Sequence, residues 1–472
     1  MTRLLSFLAF CFFVFSYPPF AMAKVLTLES YLKQVKARYS GYQSAQLQID
    51  SAKIRYSLRP LQYSPLLNTD ILSSRDPRPD VTDASLQADR VDSNTFKIGV
   101  SYQSPYGVFS EGSVNLERNK VTGLKNPLLN PEEREYAASL SAKVSVQLWK
   151  NAFGAMDQSY EKQRQHANLA EVKAQEFKQL MIVERAKIAY WRLALVQRKL
   201  AVRQSIVKSS RELIAFVKKR EAKRLVDKID LYQAESNYAL RKLELQQLRG
   251  SIDQYSLEFN FLRQMEGAEF SETLESPEAK SLLNMAVTTT RESREDLEGK
   301  FEAAQAAREK VLAEREQIKP DLRFFLQLDR KRYDSGLGSA SSELKNMDNP
   351  RVAYGLKFSY LLDQDLVARS ERAYTSEEMA EKISYEDAVI ENRMKLASLK
   401  KRIGFAQEYL KNTLNLVKAE KKKYSTQSER FRDGIASTDE FLRFEDMYHD
   451  AQIINLDAQI ELLKLLAEHQ SF

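Results

Sequence analysis

The chain has 472 residues, 29% of them charged, with only 14 glycines and 12 prolines, a balance that favours helix-rich, extended structure over a loop-rich globular fold. The formal net charge is +7, and Lys and Arg alternate with Asp and Glu throughout. That is the pattern of a solvated coiled-coil surface. With no basic block interleaved with aromatics, it excludes a nucleic-acid face.

Residues 1–23 read as a secretory leader: Arg3 is the basic start, Leu4 to Phe15 the apolar core, and Ala21-Met22-Ala23 a small-x-small cleavage site before Lys24. Read instead as a transmembrane anchor, the run is too short to cross about 30 Å of hydrocarbon. Cys11, the sole cysteine, lies inside that core. The mature chain is therefore expected to lack disulfides, thiolate metal sites and a cysteine nucleophile. No later stretch approaches a transmembrane helix, so any membrane crossing must be made by strands.

Lys24 to Arg59 is expected to be helical, with Leu28, Tyr31, Leu32, Val35, Leu47, Ile49 and Ile54 on its apolar face, ended by Pro60 and Pro65. The period then changes to two. Phe96, Ile98, Val100 and Tyr102 alternate with polar residues, as do Ala138, Leu140, Ala142, Val144, Val146 and Leu148. Such alternation marks a half-buried strand, or a barrel strand whose apolar side meets lipid. Leu66–Ser74 and Val108–Glu117 are weaker strand candidates. Ser104-Pro105-Tyr106-Gly107 is a tight turn, and Arg75–Asp92 and Asn119–Arg134 are long polar loops. A short turn opposite long loops is the asymmetry of an outer-membrane barrel; a soluble β-sandwich is the alternative.

Helix is expected to resume near Asn151, turn near Arg224 and return to about Arg263. Glu266–Glu275 is a polar break, after which Ser276 reads as a cap and Pro277 as a first-turn residue of a helix running to Lys319. Pro320 opens a second strand pair, Leu322, Phe324, Leu326, Leu328 and then Val352, Tyr354, Leu356, Phe358, Tyr360, around the polar loop Tyr333–Pro350. From Ile383 to Phe431 runs a coiled-coil seam in which Leu396, Ile403, Leu410, Val417, Tyr424 and Phe431 recur every seven residues. Leu399 and Ala406 fill its second position before Thr413, Glu420 and Gln427 turn it polar. Two hundred and ten residues earlier, Ala186, Leu193, Leu200, Val207 and Ile214 occupy the same phase, with Ala189 and Val196 in the second position. One unit is written twice. It reads as a first repeat over 24–265 (helix, strands 66–148, helical hairpin 150–265) and a second over 266–472 (helix, strands 320–362, hairpin 365–469). Helices of some seventy residues would reach about 100 Å, too long for a compact domain, so the expected object is a long tube or rod.

Taken together, the duplicated order, the entries Pro65-Leu66-Leu67 and Pro320-Asp321-Leu322, the strand-to-helix segment Val144–Lys150 and the turn Gly434-Ile435-Ala436-Ser437 followed by Glu440-Phe441-Leu442 resemble the TolC family of outer-membrane efflux and secretion channels. The resemblance covers essentially the whole mature chain. It implies a mainly α fold of long antiparallel coiled-coil helices in an α-barrel, with amphipathic strands that join those of two further copies in a trimeric outer-membrane β-barrel. It further implies a cell outer membrane location with a periplasmic extension, contact with outer-membrane lipid, and a periplasmic adaptor (membrane fusion) protein coupling the tip to an inner-membrane pump. Asp230, Asp439, Glu440, Arg443 and Arg224 are the pore-gate candidates, and Leu225, Val226, Gly434, Ile435, Ala436 and Ser437 the adaptor-docking candidates.

Three departures accompany the resemblance. Up to four strands are expected in the first half where the family brings two, so the chain contributes four or six to a barrel. Arg224 stands at the first tip where the family has glycine, and Arg443 at its second acidic gate position. The chain offers no constellation for an enzyme: His166, His449 and His469 lack metal-ligand spacing, and no nucleotide loop or nucleophile elbow occurs. No cofactor is expected. A passive efflux or type I secretion duct is the leading function, and a coiled-coil rod or adhesin with a membrane-anchored β foot is the alternative.

Overall fold

The computed structural model describes residues 25–58, 60–77, 90–123, 134–270, 272–285, 294–334, 336–342 and 350–472. The expected leader, with Cys11, lies outside them. Two compact units emerge, each built from segments distant in sequence: Met1–Leu47, Glu176–Glu292 and Asn392–Phe472 form the first, and Gln48–Gln175 and Ser293–Glu391 the second.

The first unit is almost entirely helical, and three helices, Ser40–Ser57, Ala155–Ala222 and Gln364–Arg432, each have one part in it and the other in the second unit. Strand β1 (Val25–Leu26) leads into helix α1 (Leu28–Arg38), whose N-terminus is capped when the Ser30 amide donates to the Thr27 hydroxyl at 3.3 Å. The expected continuous helix breaks at Tyr39, which is extended (φ −64°, ψ 116°), before α2 (Ser40–Ser57) begins. The Gln43 side chain donates to the Ala37 carbonyl at 2.6 Å and satisfies one carbonyl that the break leaves open. Helix α3 (Ala155–Ala222) and α4 (Lys228–Phe261) make one hairpin; α8 (Gln364–Arg432) and α9 (Thr438–His469) make another.

The polar break after α4 contains strand β6 (Thr273–Leu274), which pairs in parallel with β1. Tyr31, Tyr190 and Phe259 are wholly buried beneath this pair, Tyr31 stacking on Phe259 with ring centres 4.1 Å apart. The Tyr190 hydroxyl donates to the Leu26 carbonyl at 2.6 Å and accepts from the Glu275 amide at 3.1 Å, tying the short strands to α3. Burial pushes the Tyr190 phenol up to about 12. The seam of α8 packs as its heptads require: Leu399, Ile403 and Leu410 are buried against Leu456, Leu462 and Leu466 of α9.

Ser276 and Pro277 precede the next helix and do not cap it; α5 (Ala279–Leu283) starts from Glu278 and is only one turn long. Residues 286–293 lie outside the described structure, and α6 spans Glu295–Gln317.

In the second unit, six antiparallel strands form one sheet in the order β2-β3-β4-β5-β7-β8. They are β2 (Leu66–Asp76), β3 (Arg90–Gln103), β4 (Val108–Thr122), β5 (Arg134–Gln147), β7 (Asp321–Asp334) and β8 (Arg351–Ser359). The hairpin around Tyr106 therefore belongs to the sheet, and the weaker candidates β2 and β4 are full strands. Register places the helix connections at Leu66, Gln147, Asp321 and Ser359 on one end, together with the turn at Gly107. Residues 77–89, 123–133 and 335–350 connect strands at the other end and include the short helix α7 (Leu337–Ser342).

Candidate functional site

The two hairpin turns share one geometry. At α3–α4, Arg224 adopts φ +58°, its amide bonds the Glu221 carbonyl at 2.8 Å and the Leu225 amide bonds that of Arg220 at 2.9 Å. At α8–α9, Gly434 adopts φ +77°, with its amide on Phe431 at 3.1 Å and the Ile435 amide on Arg430 at 2.9 Å. Both are left-handed helix terminations, and the same sequence offset relates every bond. Arg224 thus accepts the backbone that glycine adopts freely, at some steric cost. Each following helix opens on a capping box. Asp227 pairs with Asp230 and Ser437 with Glu440, the Ser437 hydroxyl accepting from the Glu440 amide at 3.2 Å.

These caps fix what the charged candidates do within one chain. The Asp230 carboxylate accepts the Asp227 amide at 3.2 Å, and that of Glu440 accepts the Ser437 amide at 3.3 Å. Asp439 accepts from the Gln233 side chain at 2.6 Å, which links the two hairpins. Arg443 is exposed, with its guanidinium 5.5 Å from the Phe444 ring centre. No ion pair of Arg224 occurs among the described residues.

Of the apolar turn residues, Leu225 and Ile435 are exposed at equivalent positions, whereas Ala436 is buried and Val226 packs against the cluster of Val217, Phe431, Phe441 and Leu442. Phe431 and Phe441 stack with centres 4.7 Å apart.

Sequence reasoning missed Arg220. Its Nη1 donates to the Phe431 carbonyl at 3.2 Å and its guanidinium lies 5.7 Å from the Phe216 ring and 5.9 Å from the Phe431 ring. A positive group at the C-terminal end of α8 is favourably placed against the helix dipole. No motif marks Arg220; it is one of several basic residues near the end of α3.

Behind the turn the α8 seam becomes polar, with Thr413, Glu420 and Gln427 all buried. Asn455 donates to Thr413 at 3.0 Å, Gln459 to Asn455 at 2.7 Å, and Glu420 leaves one carboxylate oxygen without a partner. Farther along, Arg241 of α4 is buried and bonds Glu244 at 3.0 Å and Asp446 of α9. Over this stretch the helices are joined by polar bonds beside the packed rings of Tyr424 and Phe431.

In the sheet, the cross-strand register gathers Ile71, Ile98, Val114, Leu140, Leu326 and Tyr354, with their same-face neighbours, on one face. That apolar face is the open one: Ile71 is 81% and Tyr354 75% exposed, and Phe96, Ile98, Val144, Leu326 and Leu328 are also exposed. The other face is polar and internally bonded. Lys97 pairs with Glu111 at 3.1 Å, Ser141 donates to Asp329 at 2.6 Å, and Lys331 pairs with Glu117 at 3.0 Å. Water-soluble sheets turn their apolar face inward; this one turns it out. At the helix end, Trp149, Phe358 and Tyr360 line a groove with Ile318 and Pro320, as an interfacial aromatic girdle would. Among the described residues, strands β2 and β8 each have one neighbour, which leaves both edges of the sheet unpaired.

Among the described residues no group of acids and histidines is arranged to hold a metal, and no helix is long and apolar enough to cross a membrane. His166 is bound to Glu302 at 2.7 Å.

No protein-family model matches the chain, and no curated protein matches it in sequence. The fold does match solved structures. The outer-membrane channel OprN superposes with a TM-score of 0.67 at 14% identity, covering 94% of this chain and 89% of that one. VceC, an outer membrane protein of Vibrio cholerae, gives 0.64 at 15% over 94% and 95% of the two chains. The CmeC outer membrane channel of Campylobacter jejuni gives 0.66 at 11% over 94% and 84%. The chain thus shares, nearly end to end, a fold of long helices and an antiparallel sheet found in outer-membrane channels.

Proposed function

We propose that this protein is an outer-membrane exit duct of the TolC type, passing small molecules or proteins outward under the drive of an inner-membrane pump. The reading rests on the inverted sheet, whose apolar face is exposed, whose polar face is hydrogen-bonded and whose edges are unpaired. Open edges are not tolerated in hydrocarbon, so several copies must join them. A homotrimer of six-stranded sheets closes an eighteen-stranded wall, a size class that leaves an aqueous channel.

In this reading the chain is two repeats, 24–265 and 266–472, and the two matching turns are its legacy. The turns form the periplasmic tip. Leu225 and Ile435 offer the exposed apolar contacts for an adaptor, Gly434, Arg224 and Ser437 shape the turn, and Val226 and Ala436 support it from within. The same bend at Arg224 and Gly434 supports docking through both turns. Asp230, Asp439, Glu440 and Arg443, repeated in three chains, ring the pore, and Arg224 finds its acidic partners in neighbouring copies. The polar seam at Thr413, Glu420 and Gln427 lets the hairpin slide when the tip opens. No cofactor or catalytic group takes part.

The test is the purified protein in detergent and in planar bilayers. A trimeric mass and discrete conductance are expected, with larger single-channel conductance for Glu440→Gln or Arg443→Gln. A monomer without conductance would overturn the channel, and unchanged conductance in both variants would remove these residues from the gate.

A further inference from the structure

The same register that gathers the apolar band carries it into a second zone at the end of the sheet away from the helices. There the face that bears Ile71, Phe96, Leu116 and Leu328 continues into Arg75, Arg90, Arg118, Lys120, Arg330 and Arg332. Set against them, among the described side chains of this face, are Asp92 and Asp334. Asp92 is already shared, 3.0 Å from Arg75 and 3.1 Å from Arg90. Arg118 rests over the Tyr136 ring at 5.9 Å, and among the described residues neither it nor Lys120 has a carboxylate within ion-pair distance. Arg330 is buried, and its Nε and Nη1 find no acceptor, so it adds positive field behind the surface. The opposite face at that end is nearly balanced, with Asp76, Glu117 and Glu135 set against Lys331 and Arg351.

A random scatter of charge would not follow the pleat. The helix end of the apolar face carries aromatics and the far end carries cations, so the two borders of the band meet different surroundings. Long connections lie at the cationic border, the side that faces outward in a barrel of this kind. A half-buried guanidinium such as Arg118, with excess cations around it and exposed apolar side chains beside it, matches phosphate at the level of lipid headgroups.

We propose that this belt is a docking surface for the phosphates of anionic lipid in the outward-facing leaflet. The inference rests on the channel reading above, because only there does the apolar face meet lipid. Arg118 and Lys120 are its free contacts, Arg75 and Arg90 exchange Asp92 for phosphate, and lipid bound around the ring seals the junction between copies.

The experiment uses the full-length purified assembly, titrated with bisphosphorylated lipid A and followed by native mass spectrometry, with bilayer conductance recorded on the same samples. The double variant Arg118→Gln/Lys120→Gln is expected to bind roughly thirtyfold more weakly, the loss of two interfacial cations. Arg118→Lys should retain most of the binding, Lys331→Gln on the opposite face should bind within about twofold of the parent, and inorganic phosphate should not displace the lipid. A conducting double variant that binds lipid A like the parent overturns the belt alone, as does displacement by inorganic phosphate. A parent protein that neither inserts nor conducts overturns the belt and the channel reading together.

Discussion

Gly434→Ala tests the turn from two directions. A methyl group at φ +77° costs about 1–2 kcal/mol in a left-handed backbone. The same carbon would sit 3.1 Å from Nη2 of Arg220, so that guanidinium must shift by a few tenths of an ångström, which strains its 3.2 Å Nη1 bond to the Phe431 carbonyl. Weakening a charged bond at a half-exposed site adds up to about 1 kcal/mol, for a total of about 1–3 kcal/mol. Arg224→Gly is the reciprocal change. It relieves a non-glycine residue at φ +58° and should stabilise its turn by about 0.5–1 kcal/mol, less what glycine adds to the unfolded chain's freedom. Amide hydrogen exchange at Ile435 and Ala436, both bonded to the Arg430 carbonyl, reports the local opening. Exchange there should quicken in Gly434→Ala, that at Leu225 should slow in Arg224→Gly, and Arg220→Ala should absorb part of the Gly434→Ala penalty. Equal exchange in Gly434→Ala and the parent would refute both the strain and the Arg220 contact.

Tyr190→Phe removes the bonds to Leu26 and Glu275 and should cost about 1–2 kcal/mol in thermal unfolding. Because the folded phenol stays protonated up to about 12, above its ordinary value of 10.0, its contribution is complete below pH 10 and lost as pH rises from there through 12. Alkaline unfolding followed by circular dichroism should be less steep in that window for the phenylalanine variant. Leu326→Arg places a charge on the apolar face and should oppose insertion into vesicles by about 2–4 kcal/mol, whereas Gln327→Arg, one residue on, should insert normally. Equal insertion of the two would mean that the sheet does not face lipid with its apolar side.

The strands with unbroken alternation, such as Ala138 to Leu148, can be read from sequence because one register satisfies every residue. Strand β4 is harder, since Gly112 stands where the face calls for an apolar side chain and Ser110 follows the same face toward the turn. The heptads of α8 predict its packing partner's face, yet their polar positions give no hint that Thr413 would be bonded to Asn455 on another helix. Tyr39 breaks a helix whose apolar spacing continues through it, and a neighbouring glutamine closes the break, a contact no periodicity encodes. Arg224 stands where the resembled family has glycine, and the backbone nonetheless takes the glycine-type left-handed turn, because the flanking helices fix where it must bend. The division of the chain into two consecutive halves is a property of the order of residues. The compact units instead each draw on both halves.

The unpaired margins of β2 and β8 also bear on inheritance. In the proposed trimer, a protomer damaged along β8 but sound along β2 would still be recruited by a healthy neighbour, and the ring would then fail to close. Such an allele should be dominant over the intact gene in a cell that expresses both, while one that fails before it reaches the membrane should be recessive.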